Sequence, residues 1–308
     1  MVSGQNNDWV SATKTRNYIN QDPILDWFEL YGDENGCKRD TAALKYDVNL
    51  DFVQLLFRKG NEFEQVVVNH LMQNFGPDKF VTVAQSYKDS RDSKKQDETL
   101  QYMKDGIPFI LQGVLRNSDN KTYGMPDIMV RSDYIPQIPD NQDTKDFQFL
   151  DKSALGLGQH FHYRIIDVKF TTLKYNASGD YLLGAAAYKS QLAIYNKALG
   201  NLQGFKPPEA YLLGRNWKRT KAGTDFSGKG AFDKLGKVDL FNIDREYEAK
   251  AEEAVNWVRK VRNQGQSWTV DNIHEQGIWP NCNNTYDYPW HNAKMEIANK
   301  LEDLTKVW

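Results

Sequence analysis

The segment YRIIDVKFTTLK, residues 163–174, decides the fold because its β-branched and aromatic residues predict a buried strand that nevertheless carries an acid and a base. Alternate residues of a strand point to the same face, so Asp167 and Lys169 are expected to lie side by side. Charged groups in a buried strand are costly unless they are paired or bind a ligand. The pair therefore requires an explanation, structural or chemical.

The composition is that of a chain with a sizeable core and almost no net charge. Of the 308 residues 40% are apolar, and 39 Lys and Arg against 41 Asp and Glu give a formal net charge of -2. This length permits one large domain or two modest ones. Because no global positive field exists, any nucleic-acid site must be a local patch.

The cysteines and the N-terminus indicate the compartment. Cys37 and Cys282 are the only cysteines, and their spacing provides no zinc or iron–sulfur ligand set. The polar N-terminus lacks the apolar core of a signal peptide, and no apolar run is long enough to span a membrane. These features predict a soluble, intracellular protein of the cytoplasm or nucleus, with no membrane partner.

Apolar periodicity along the rest of the chain alternates between helix and strand. Helices are expected at 49–75 with a kink or break at Gly60, at 97–104, at 181–200 ending at Gly200, at 244–264 capped by Asp244, and at 290–305. Strands are expected at 79–84, 108–117, 124–134, 163–170 and from 209, with the second and third forming a hairpin and 135–149 a loop. The pattern predicts an α/β fold with a central mixed β-sheet flanked by helices.

A second acid, Asp127 in GMPDIM, also occurs in an apolar strand. Two carboxylates on neighbouring strands, with a main-chain carbonyl, form a hard oxygen site suited to Mg²⁺ or Mn²⁺. Lys169 would then orient or deprotonate an attacking water. The alternative is an ordinary surface pair on an edge strand, with Asp127 starting a turn. The apolar character of both strands favours the site.

Two helices carry further candidates. Glu64 occurs on a helix otherwise rich in core residues, and Gln191 and Tyr195 lie one helical turn apart on another. Each has a structural alternative, since Glu64 could be solvated and Tyr195 could belong to the core with its hydroxyl at the surface.

Taken in order, these residues resemble the motifs of the PD-(D/E)XK nuclease superfamily, in its RecB-like branch, which includes CRISPR-associated adaptation exonucleases. Pro126-Asp127 and the Asp167-Val168-Lys169 triplet match the signature, and the flanking Gly60-Phe63-Glu64 and Gln191-Tyr195 patterns match the first and last motifs. The motifs extend from residue 60 to 195. Two features depart from the pattern, because the iron–sulfur cysteines of some relatives are missing and Phe63 stands where histidine is common.

The resemblance implies a restriction-endonuclease-like core at about 48–215, within a single domain 1–308 that has helical decoration at both ends or was excised from a longer protein. Asp127, Asp167, the carbonyl of Val168 and Glu64 would hold one or two Mg²⁺ or Mn²⁺ ions. Lys169 would position the nucleophile. Gln191 and Tyr195 would orient Lys169 or contact phosphate.

The activity implied is a DNA nuclease, more specifically an exonuclease on DNA ends or single strands, in repair, recombination or replication. A helicase or other repair proteins would be its partners. A nuclease acting on RNA and a catalytically inactive nucleic-acid-binding or scaffolding subunit are the alternatives. The intact acids and lysine argue against the second of these.

Residues 214–230 concentrate positive charge around an aromatic residue after the strand that begins at 209. Such a segment, expected to be a loop, could grip phosphates and stack on an unpaired base. A solvated surface loop is the alternative. The candidate nucleic-acid-binding residues are Arg215, Trp217, Lys218, Arg219 and Lys221.

Overall fold

The computed structural model describes residues 8–40, 52–142 and 146–306. Its α-helices are Arg16–Ile19 (α1), Ile24–Trp27 (α2), Phe52–Phe75 (α3), Ser93–Lys104 (α4), Ala186–Gln203 (α5), Glu246–Gln264 (α6), Ile273–Gln276 (α7) and His291–Lys300 (α8). Its strands are Val10–Ser11 (β1), Phe80–Thr82 (β2), Phe109–Leu111 (β3), Leu115–Asn117 (β4), Thr122–Gly124 (β5), Ile128–Arg131 (β6), Tyr163–Lys174 (β7), Glu209–Lys221 (β8), Thr224–Ser227 (β9) and Gly236–Asp239 (β10).

A seven-stranded mixed sheet forms the centre of the fold, in the order β10-β8-β7-β6-β3-β2, with β9 paired to β8. The β7–β8 and β2–β3 pairs are parallel, and the other pairs are antiparallel. A second sheet has the order β1-β5-β4. The predicted α/β class with a central mixed sheet flanked by helices is confirmed.

Strand β7 contributes to both faces of the large sheet, and helices cover both. Ile166 and Val168 pack in a cluster with Val67 and Leu71 of α3. Ile165 packs in the other cluster, which includes residues of α5 and α6. Because side chains alternate along a strand, Asp167 and Lys169 continue the face of Ile165.

The predicted hairpin of strands 108–117 and 124–134 is wrong in its form, because each arm is divided between the two sheets. β3 pairs with β6 in the large sheet, whereas β4 pairs with β5 in the small one. The first arm breaks at Gln112, whose φ is +50°, and the second breaks at Pro126, which lacks an N–H for the ladder. The break leaves Asp127 one residue before β6 rather than inside it.

Several helix ends differ from the predicted ones. α3 continues unbroken through Gly60, although its predicted start at 49–51 lies outside the described residues. α5 begins later than expected and passes Gly200 to end at Gly204, which has a φ of +71°. Asp244 does not cap α6, because the residue before the helix is Arg245 and the Asp244 carboxylate binds Lys189 instead.

The N-terminal and C-terminal segments pack on each other beside α5. Helix α1 contacts both α5 and α6. Lys294 of α8 is fully buried and lies 3.0 Å from Asp22 and 2.7 Å from Asp287. A buried lysine with two carboxylates ties the chain ends together, since removal of either partner would leave buried charge. In the part of the chain described, no helix is long and apolar enough to cross a lipid bilayer.

Candidate functional site

Sheet register brings the two acids together. Ile128 of β6 pairs with Ile166 of β7, so the preceding Asp127 stands opposite Asp167. The Asp127 Oδ2 atom accepts a hydrogen bond from the Val168 N–H at 2.6 Å. This bond holds Asp127 against β7, in the position that the sequence predicted for a shared carboxylate site.

Lys169 lies between the two carboxylates. Its Nζ atom is 2.5 Å from Asp167 Oδ2 and 3.8 Å from Asp127 Oδ2. Although burial alone would lower the pKa of Lys169, the two carboxylates raise it above its usual value. Lys169 is therefore a cation here, and it partly neutralises the carboxylates.

Asp167 is a buried carboxyl group with incomplete hydrogen bonding. Its side chain is fully buried, and its Oδ1 atom has no hydrogen-bond partner. Burial, opposed by Lys169 and reinforced by Asp127, raises the pKa of Asp167 to about 7. A buried carboxylate oxygen without a donor is a costly feature that a cation would satisfy.

Glu64 of α3 adds a third carboxylate, and its partner is a residue that the sequence did not indicate. The Gln112 Nε2 donates to Glu64 Oε1. Burial and the neighbouring Asp127 raise the pKa of Glu64 to about 7. Gln112 also donates its N–H to the Asp127 carbonyl at 3.0 Å, from a left-handed backbone conformation. Strained backbone is often found at functional sites, and only tertiary contacts show that Gln112 links these two acids.

Gln191 and Tyr195 lie on α5 over the same face of the sheet. Gln191 Nε2 donates to the Tyr195 hydroxyl at 2.8 Å, and the tyrosine is buried. Burial, and next the charge of Asp167, raise the pKa of Tyr195. Within the described structure neither side chain hydrogen-bonds Lys169, so the arrangement supports packing of the site rather than direct orientation of the lysine.

Two further residues surround the site and were not identified from the sequence. The Tyr188 ring centroid lies 5.6 Å from Lys169 Nζ. A Cβ atom added to Gly124 would overlap the ring of Tyr195, so this glycine permits α5 to approach the small sheet. Such close approaches depend on tertiary packing and leave no local pattern.

The site offers carboxylate and carbonyl oxygens, the atoms that divalent cations bind in proteins. Among the described residues no three Asp, Glu, His or Cys side chains are already grouped as a ligand set. Lys169 occupies the space between Asp127 and Asp167, and Glu64 is bound to Gln112, which accounts for this. The unpartnered Oδ1 of Asp167 is the atom that fits a metal, because Mg²⁺ and Mn²⁺ prefer carboxylate and carbonyl oxygens. Val168, between the acid and the lysine, would supply its carbonyl.

The predicted basic loop is instead a β-hairpin made by β8 and β9. β8 continues beside β7 beyond a register shift between Lys169 and Thr172, and it turns back at Ala222 and Gly223. Both turn residues have positive φ, as a two-residue hairpin turn requires. Gly214 pairs with Lys169, so the hairpin begins at the site and extends about 20 Å from it.

The hairpin exposes the expected cations, but its exposed aromatic residue is not Trp217. Arg215 stacks on the Phe170 ring at 5.0 Å, and Lys218 and Lys221 are exposed. Trp217 packs edge-on against Tyr175, its indole nitrogen is buried, and its side chain is only partly exposed.

The exposed aromatic residue of the hairpin is Phe226. It is 40% exposed, and the Arg219 guanidinium lies 5.1 Å from its ring centroid. Arg219 also donates to the carbonyl of Ser178 at 2.5 Å. A cation beside an open ring is the pair that the sequence analysis expected at Trp217.

The two cysteines are free thiols.

No protein-family model matches this chain, and no curated protein matches it significantly. The chemistry of the chain therefore has to be argued from the site: three carboxylates and a lysine at the point where two central strands meet, beside a basic hairpin.

Proposed function

We propose that the protein is a divalent-metal-dependent nuclease of the PD-(D/E)XK superfamily that hydrolyses phosphodiester bonds in DNA. One observation carries the proposal. Asp127, Asp167 and Lys169 converge on neighbouring strands, and Asp167 keeps a buried oxygen without a partner. The buried Arg164–Glu209 pair also has an oxygen without a hydrogen bond, Glu209 Oε1, but a second cation, Lys237, lies 3.7 Å from that oxygen.

The roles of the residues follow from their positions. Asp127, Asp167 and the Val168 carbonyl would hold the metal, with Glu64 joining them once it leaves Gln112. A bound Mg²⁺ or Mn²⁺ polarises the scissile phosphate and neutralises charge that develops on the leaving oxygen. Lys169, a cation, would orient the attacking water and stabilise negative charge in the transition state. Gln112 would hold Glu64 near the β6 acid until the metal binds.

The basic hairpin supports a nucleic-acid substrate. Arg215, Lys218 and Lys221 expose positive charge along a strand that starts beside Lys169. Such a line of cations follows a phosphate backbone, and the Phe226 ring offers a surface for one base. An exonuclease acting on DNA ends or single strands, in repair, recombination or replication, is the form that we propose.

The test is cleavage of end-labelled single-stranded, duplex and circular DNA, with single-stranded RNA in parallel, in Mg²⁺, Mn²⁺ or EDTA. Wild type is compared with Lys169→Ala. Removal of a cation that orients the water and stabilises the transition state should slow cleavage at least ~100-fold. Lys206→Ala is the matched control, because Lys206 pairs with Glu248 at 2.7 Å outside the site and its loss should leave cleavage unchanged.

Metal-dependent loss of linear DNA, with circles spared, would support the exonuclease. Cleavage of RNA alone would retain the chemistry and change the substrate. No cleavage with any metal, together with DNA binding that persists in EDTA, would reject the enzyme in favour of an inactive binding subunit.

A further inference from the structure

Arg16, the first residue of α1, is a partly buried cation without an acidic partner. Its side chain forms no ion pair or hydrogen bond in the described structure, and its Nε atom is buried. The guanidinium lies over the ring of Tyr286, 4.2 Å from the centroid. The ring is therefore the contact that holds the guanidinium, and its terminal N–H groups are left for a ligand.

The other stacked arginine at the chain ends shows the contrast. Arg39 lies over the Trp290 ring at 4.5 Å, and it is ion-paired with Asp33 at 2.9 Å. Both arginines belong to the N-terminal segment and stack on an aromatic residue of the C-terminal segment. Of these two arginines, Arg16 is the one whose guanidinium N–H groups donate no hydrogen bond to a described residue.

Arg16 lies near the candidate active site. α1 packs against α5, whose first turn carries Tyr188, and the Tyr188 ring is 5.6 Å from Lys169 Nζ. Burial raises the pKa of Tyr188, and the charge of Arg16 acts on the same hydroxyl. Tyr286 and Asp167 also act on it, so Tyr188 lies within electrostatic range of both the Arg16 stack and the two-carboxylate site.

We propose that Arg16 and Tyr286 form a phosphate subsite, in which the guanidinium binds a phosphate of the nucleic-acid strand next to the scissile bond and the exposed Tyr286 ring contacts the adjoining base. This inference rests on the proposed nuclease function. A guanidinium presents paired N–H groups that match phosphate oxygens. Tyr286 is 57% exposed, and aromatic faces stack on bases of any sequence. The N-terminal and C-terminal segments would then complete the substrate site of the central sheet.

The experiment measures binding of fluorescently labelled single-stranded DNA by anisotropy, in EDTA and at several salt concentrations, for Arg16→Gln and Arg16→Lys. Arg16→Gln should bind about tenfold more weakly, the effect of one charge-assisted hydrogen bond. The slope of log K against log salt should fall by about 0.7, as expected for one phosphate contact on a single strand. Arg16→Lys should retain the slope.

Arg39→Gln is the matched control, since its charge is already neutralised, and it should leave the slope unchanged. Oligonucleotides with a 5′-phosphate or a 5′-hydroxyl separate a terminal phosphate from an internal one, because an internal contact predicts the same loss with both. Thermal melting of each variant checks folding.

An Arg16→Gln protein that folds and binds DNA with the slope of wild type would overturn the subsite. The nuclease proposal would survive that result, because wild type would still bind and cleave. If wild type neither binds nor cleaves nucleic acid, the proposed function itself fails.

Discussion

Replacement of Asp167 by Asn should stabilise the metal-free protein, and the gain should depend on pH. The folded-state pKa of Asp167 is raised from its ordinary 3.8 to about 7, so the folded protein binds more protons than the unfolded chain between these values. Its contribution to folding is therefore lost as pH rises through this window. Asn is neutral at every pH and avoids the loss.

The size of the effect follows from the same shift. Since each tenfold change in proton affinity corresponds to about 1.4 kcal/mol, the cost of ionised Asp167 approaches about 4 kcal/mol above pH 7. The Asn variant should recover only part of this free energy. Lys169 would retain Asp127, at 3.8 Å, as its one carboxylate partner, and the new amide N–H₂ would lack an acceptor. We expect a gain of about 2 kcal/mol at pH 8, or about 3 °C in melting temperature, and almost none at pH 4.

The assay is thermal melting in EDTA at pH 4, 6 and 8, repeated at pH 8 with Mg²⁺. Metal binding should stabilise the wild-type protein by mass action and leave the Asn variant unchanged, so that the difference between their melting temperatures narrows or reverses. Asp244→Asn is the matched control. Asp244 is also buried beside a lysine, 2.7 Å from Lys189 Nζ, but its other oxygen accepts the Asp239 N–H at 3.0 Å.

Asp244→Asn should lower the free energy of unfolding by about 3 kcal/mol, because Lys189 would be left buried without its carboxylate partner. The reasoning is refuted if Asp167→Asn melts below wild type at pH 8 in EDTA, or if the gap is the same at all three pH values. The first result would mean that Asp167 has a structural role, and the second would mean that folding does not raise its pKa.

Two further predictions concern packing and the hairpin. Gly124→Ala should destabilise the fold by about 1–3 kcal/mol in a denaturant titration, because its Cβ would overlap Tyr195. Gly60→Ala, whose Cβ meets no described atom, should instead stabilise α3 by about 1 kcal/mol. Equal stabilities of the two variants would contradict the close approach at Gly124. Lys218→Gln with Lys221→Gln should weaken single-stranded DNA binding and lower the salt slope by about 1.4, with melting temperature unchanged, and an unaltered slope would remove the hairpin from the interface.

The sequence revealed the central strand and its charged pair because a period of two is a local property. Asp167 and Lys169 share a face wherever the strand is placed, and the structure brings their charged groups within 2.5 Å. The opposition of Asp127 to Asp167 required only that the two strands be neighbours.

Other parts of the site depend on contacts between residues far apart in sequence. Gln112 reaches Glu64 across 48 positions, and nothing in its neighbourhood marks it. Arg16 and Tyr286 meet because both chain ends pack beside α5. Local patterns do not contain such pairings, because tertiary packing decides them.

The hairpin was missed for a different reason. β8 beyond Gly214 is polar and lacks apolar alternation, so its pattern predicted a loop. The strand persists because its backbone groups pair with β7 and β9, and the positive φ values at Ala222 and Gly223 close the turn. Backbone pairing of this kind has only a weak dependence on side chains.

The contrast within β7 is the strongest argument that its acid is kept for binding rather than for stability. Arg164, three residues before Asp167, is also fully buried, yet it donates to His162 at 3.0 Å, to Glu209 at 2.7 Å and to Tyr211 at 2.7 Å. The fold therefore gives this buried cation its acceptors, although its partner Glu209 keeps the Oε1 atom without a hydrogen bond, 3.7 Å from Lys237 Nζ. At Asp167 it leaves one carboxylate oxygen without a donor. Since acceptors surround Arg164 while Asp167 keeps an oxygen without a donor, the missing partner of Asp167 is expected to come from outside the chain.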